Sequence, residues 1–127
     1  MCRRSSLTIV LALLFAVIPS QILAHEKVKL TGFLVDVVCA TEHVKDKAED
    51  ATKFAGEHTK ECALMEACVK SGYGMFVDGK WYPFDSKGND LAKILVQKTS
   101  RDDHLKVAVE GMLHEGKIMV EKLREAE

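Results

Sequence analysis

From residue 27 onward, apolar positions recur first at every second residue and then at every third or fourth, and the change of period marks out the elements. KVKLTGFLVDVVC, residues 27 to 39, is rich in Val, Leu and Phe and holds Gly32, which predicts a long first strand with a bend or bulge at the glycine. In TEHVKDKAEDATKFAG, Val44, Ala48, Ala51 and Ala55 fall at helical spacing. A surface helix over 41–56 is expected, capped by Thr41 and ended by Gly56. KECALMEACVK, residues 60 to 70, has good helix formers and stops before Ser71 and Gly72, so a second continuous helix is expected there.

The next segment, YGMFVDGKWYPF, is two apolar runs around Asp78 and Gly79, a pair that favours the tight turn of a β-hairpin. DSKGND reads as a turn, with Asn89 or Asp90 capping a short helix whose Leu91, Ile94 and Leu95 share one face. From His104 the pattern alternates, with Leu105, Val107 and Val109 on one side, a turn near Glu115 and Gly116, and Ile118 and Val120 beyond it. The order is strand, helical insertion, hairpin, helix, hairpin: five strands, with a short helix between strands 3 and 4. A mainly β, five-stranded OB-like barrel has this order, and closure removes exposed edges from a small domain. An open meander packed by the helices is the alternative.

The N-terminus changes the chemical setting. A basic start at Arg3 and Arg4, an apolar run from Leu7 to Ile18, then Pro19 and the small Ala24 form the pattern of a secretory signal peptide, too short to persist as a spanning helix. Residues 1–24 are expected to be removed, leaving 25–127 as one OB-like domain with no transmembrane anchor, exported to the periplasm or beyond. Arg3 and Arg4 leave with the signal, so 16 of the 18 Lys and Arg face 19 Asp and Glu, a formal charge of −3. No basic excess or stripe suits nucleic acid, so the partner expected is a protein or a small ligand.

Export also decides how the cysteines are read. Cys39, Cys62 and Cys68 remain, in a compartment where disulfides persist, and an odd number cannot all pair within one chain. On one continuous helix Cys62 and Cys68 stand about 9 Å apart along the axis, beyond the roughly 7 Å that a disulfide bridges between Cα atoms. Cys39 is therefore expected to pair with one of them, Cys68 ahead of Cys62, as a staple for a small binding or accessory module. The competing reading is a metal site of Cys39, His58, Cys62 and Cys68, for a metal-handling or thiol-redox protein. His58 and Cys62 are four residues apart, and Met65 is three from both Cys62 and Cys68. Thiolate, thioether and imidazole suit copper(I); thiolates with His58 suit zinc.

Other candidates carry less. Met65 alone is expected to pack, His58 alone to cap or lie on the surface, and Asp36 to face solvent at a bulge or edge, unless it orients a histidine or tunes a cysteine. His25, freed as an N-terminus, offers an amine and an imidazole to copper(II), with His104 or His114 to complete the set. His43 shows no ligand spacing, and of the hairpin aromatics Trp81 and Tyr82 are the ones the core can spare. No nucleophile elbow, phosphate loop, H-E-x-x-H or haem motif supports an enzyme, which leaves a Cys62 nucleophile with His58 as base as the one catalytic arrangement to weigh.

GFLVDVVCA, HTKECALMEACVKSGYG and LKVAVEGMLHEGKIMV together resemble a group of small exported bacterial proteins with an OB-like barrel and a G-x-x-x-D-x-x-C … H-x-x-x-C-x-x-x-x-x-C pattern. The resemblance rests on Asp36, Cys39, His58, Cys62, Cys68 and Gly72. It implies fold and export, and it points at the same site.

Overall fold

The computed structural model describes residues 25–45 and 51–127; the expected signal peptide, 1–24, and Ala48 of the expected helical stripe lie outside the described residues. The elements run β1 (Glu26–Asp36), α1 (Val37–Lys45), α2 (Ala51–Glu57), α3 (Lys60–Ala63), α4 (Glu66–Ser71), β2 (Tyr73–Val77), β3 (Lys80–Pro83), α5 (Ser86–Lys98), β4 (Lys106–His114) and β5 (Lys117–Glu125). The strands form one antiparallel sheet in the order β3-β2-β1-β4-β5. The sheet is not closed into a barrel. Its outer strands are linked by an isolated parallel bridge, Phe84 to Ile118, reinforced by the amide of Asp85 donating to the Ile118 carbonyl at 3.0 Å.

Both expected hairpins form, and their turns supply the reason. Asp78 and Gly79 have φ of 49° and 79°, and Glu115 and Gly116 have 49° and 78°. Two successive positive values are what a two-residue hairpin needs to follow the strand twist. β1 is central because its two halves face different partners: residues 26–33 pair with β4 and residues 33–36 with β2. Gly32 sits at this handover without a register shift, and the register shift falls instead between Glu110 and Gly111 of β4. What Gly32 provides is room, since a Cβ there would lie 2.1 Å from the Phe76 carbonyl oxygen.

One face of the sheet packs Leu34, Met75, Val107, Val109 and Ile118 against Ala92 and Val96 of α5. A smaller cluster on the other side joins Val35 and Phe76 to Ala40 of α1 and Ala55 of α2. Adjacent residues of β1 thus serve two cores, which explains why its C-terminal end reads as unbroken apolar sequence.

The helices depart from expectation in four places. The first strand stops at Asp36 and not at Cys39, because the Asp36 carboxylate caps a helix that starts at Val37. α1 therefore begins before Thr41, and Gly56 lies inside α2 and does not end it. The expected helix over 60–70 is two short helices, broken at Leu64 and Met65, where Met65 has an extended ψ of 142°. α5 begins at Ser86 under an Asp85 cap, so SKGND is its first turn; Asp85 Oδ1 accepts the Gly88 and Val120 amides at 2.9 and 3.1 Å, and Asn89 Oδ1 instead accepts the Tyr73 amide at 2.8 Å. Among the described residues no helix is long and apolar enough to cross a membrane.

Candidate metal centre

Asp36 is the last residue of β1 and is fully buried. Its Oδ1 accepts the Cys39 amide at 2.9 Å, satisfying a free N–H of the first turn of α1, and this places Cys39 directly above the strand end. Its Oδ2 accepts from His58 Nε2 at 2.7 Å. An ionised carboxylate only accepts, so the imidazole carries its proton on Nε2. The side chains of the pair are 0% and 3% exposed.

Cys62 comes from α3, whose start is fixed by Thr59 Oγ1 accepting the Cys62 amide at 3.1 Å. The Tyr73 hydroxyl, buried beneath, donates to the Ala63 carbonyl at 2.7 Å and holds the end of that helix. Beyond the break, α4 turns back and carries Cys68; Ser71 Oγ donates to the Cys68 carbonyl at 2.7 Å and accepts the Val38 amide at 3.3 Å, which ties α4 to α1. The break removes the spacing of a straight helix. Cys62 and Cys68, expected to be too far apart to meet, are brought together.

The result is a compact group: one carboxylate oxygen of Asp36 and the sulfurs of Cys39, Cys62 and Cys68 all lie within 4.8 Å of one another. The Cys39 and Cys62 sulfurs stand 3.6 Å apart, well beyond the roughly 2.05 Å of a disulfide bond. All three thiols are free. His58, expected to cap or lie on the surface unless it is a ligand, is buried and joins the group through Asp36; Asp36 does not face solvent at an edge but takes the alternative, touching both the histidine and Cys39.

Electrostatics separates the acid from the thiols. Burial would raise the Asp36 pKa, but the hydrogen bond and positive potential of His58, with the Cys39 amide, outweigh it and hold the carboxyl below its ordinary value. Burial pushes the Cys39 thiol strongly upward, and the neighbouring Cys62 and Asp36 add to it. Cys68 is pushed up to about 11 by burial and then by Asp36, and Tyr73 to about 12 by the same two causes. Cys39 and Cys68 thus keep their protons at neutral pH, the opposite of a reactive thiolate. The Cys62 sulfur lies against Cys39 at 3.6 Å and the partner of His58 Nε2 is Asp36, so each member of the expected Cys62–His58 pair is engaged with another group.

The remaining candidates are dispersed. Met65 is 57% exposed. His43 stacks on Phe54 with centroids 3.6 Å apart, Trp81 packs on Phe76 at 5.1 Å, and His104 Nδ1 lies 2.8 Å from Asp103 Oδ1. His25 and His114 stack at 4.7 Å, away from the cysteines. Asp36 had a visible signal, an acid three residues before a cysteine at the end of an apolar strand, but its role depends on a helix cap that the apolar run conceals. No protein-family model, no curated protein and no solved structure matches the chain.

Proposed function

We propose that this chain is a small exported metal-handling protein whose site binds zinc(II) through Cys39, Cys62, Cys68 and Asp36. The observation that carries the reading is the convergence of three sulfurs and one carboxylate oxygen within 4.8 Å of one another, from four separate elements. Around zinc, a tetrahedron with Zn–S bonds of about 2.3 Å has sulfur-to-sulfur edges of about 3.8 Å. The Cys39–Cys62 separation of 3.6 Å is close to that edge. His58 then acts behind the metal, fixing the carboxylate that faces it. Four protein ligands would close the coordination sphere, which suits holding or delivering an ion better than activating water.

The fold proposed for this function is OB-like. Support comes from the strand order β3-β2-β1-β4-β5 and the parallel bridge that joins Phe84 to Ile118, the place where such a barrel would close. Export is proposed from the leader-like N-terminus, and likeness to the small exported proteins from the Asp36, Cys39, His58, Cys62 and Cys68 pattern.

A second reading keeps a binding or accessory module with a disulfide staple, and the 3.6 Å approach names Cys39 and Cys62 as its pair. It ranks lower because it leaves Cys68 and Asp36 converging on the same point without a task. Native mass spectrometry of the reduced chain with added zinc decides between them. One ion per chain, with Cys39, Cys62 and Cys68 shielded from alkylation until denaturation, is expected. A chain isolated two hydrogens lighter, binding no zinc and retaining Cys68 as its alkylatable thiol among the three, would establish the staple.

A further inference from the structure

The ladder between β1 and β4 pairs Lys27 with Met112 and Glu26 with Leu113, so the next rung sets His25 opposite His114. Their rings stack, with centroids 4.7 Å apart and planes 25° from parallel. On β5 the following rungs set Met119 opposite Met112 and Lys117 opposite His114. Alternate residues of a strand, and residues directly opposite on its neighbours, share a face. His25, Lys27, Met112, His114, Lys117 and Met119 therefore occupy one face. It is the outer one: Gly111, Ile118 and Val120 point the other way and are buried, while His25 is exposed and Met119 is 40% exposed.

We propose that this patch is a second, separate metal site, in which the imidazoles of His25 and His114 and the thioether of Met112 hold copper(I), with Met119 as an adjacent thioether. Neighbouring strands lie about 4.8 Å apart and same-face positions about 6.7 Å, so an imidazole pair on one rung and a flexible thioether on the next come within reach of a common ion once the stacked rings turn their in-plane nitrogens towards it. Thioether and imidazole are donors for soft copper(I), and the patch has no thiolate to compete. Glu115 Oε2 is 3.8 Å from His114 Nε2 and supplies the hard donor nearby, but Lys27 and Lys117, both exposed, flank the pair. An ion bound here gains from soft donors more than from charge, which selects copper(I) over zinc(II). The patch lies eleven residues along β1 from Asp36, so the two sites are independent.

Silver(I), a diamagnetic stand-in for copper(I), tests this when titrated into the purified chain while the histidine-ring and methionine-methyl NMR signals are followed. Signals of His25, His114 and Met112 are expected to move together. His114→Ala and Met112→Leu should each weaken that response by roughly tenfold or more, since loss of even an outer partner of a ligand costs about that much. Both substitutions lie on the outer face, and an unchanged amide spectrum confirms that they fold. Silver that perturbs Cys39, Cys62 and Cys68 but leaves His25, His114 and Met112 unmoved would overturn this inference and leave the thiol reading standing. A response at His25 and His114 to zinc(II) and not to silver(I) would overturn it as well.

Discussion

His58 Nε2 lies 2.7 Å from Asp36 Oδ2, and both side chains are shut away from water. The same carboxylate caps α1 through Cys39, so this pair positions a helix as well as a charge. Removing one member of a buried pair strands the other, typically at about 3–5 kcal/mol. His58→Ala is accordingly expected to lower unfolding free energy by about that much, with Asp36→Ala losing in addition the about 1 kcal/mol of a helix cap. The double variant should lose less than the sum of the two, because neither buried partner is left unpaired. Urea unfolding of the four chains measures this, and strict additivity would show that the two groups do not interact.

Titration of the metal-free, reduced chain should show two flanks of opposite sign. Asp36 has its pKa lowered by folding, so its stabilising contribution is present above its unfolded value of about 3.9 and is lost as pH falls through the lower folded value. Cys68 is raised from 9.0 to about 11, so the folded state gains relative stability below 9.0 that disappears as pH rises towards 11. Cys39 shifts in the same direction. Thermal unfolding across pH 8 to 11 should therefore fall on the alkaline side, and a Cys68→Ala chain should fall less steeply. An equal slope in both chains would mean that the Cys68 thiol is not held protonated by the fold.

Local chemistry made the hairpins legible: Asp78 and Gly79, like Glu115 and Gly116, carry their turn geometry within two residues. The site was legible as a set of residue types and illegible as a shape. Val37, Val38 and Cys39 continue the apolar texture of β1, so nothing at those positions announces that the chain has turned into a helix; the event lies in the Asp36 carboxylate reaching the Cys39 amide. Leu64 and Met65 are good helix formers with no glycine or proline beside them. Their break accompanies a long-range contact, the Tyr73 hydroxyl on the Ala63 carbonyl, and a propensity argument does not see it. A straight helix would have kept Cys62 and Cys68 apart, and with them the whole centre.

Gly32 tests how the central strand is shared. A Cβ added there meets the Phe76 carbonyl oxygen at 2.1 Å and the Phe76 carbonyl carbon at 2.9 Å, and backbone atoms yield only if the strands separate. Gly32→Ala is expected to destabilise the domain by at least the about 1–3 kcal/mol of an overpacked core. Hydrogen exchange should report the damage first in the short ladder from Phe33 to Asp36 against β2, which holds Asp36 and its neighbours in place. Unchanged protection along Phe33 to Asp36 would mean that β2 moves aside without strain.

Zinc binding offers the sharpest check on the thiols, because Cys39 and Cys68 hold their protons in the metal-free chain and must give them up to become ligands. Titrating zinc into weakly buffered protein at neutral pH should release at least these two protons per ion, and apparent affinity should rise steeply with pH. Cys39→Ser, Cys62→Ser and Cys68→Ser should each weaken binding by roughly a hundredfold or more, exceeding the roughly 10–100-fold loss of an outer partner that His58→Gln is expected to cause. The ranking matters more than any single value: it places the sulfurs on the ion and His58 behind Asp36. If His58→Gln abolished binding while Cys68→Ser left it intact, the imidazole would be a ligand and Cys68 would be packing.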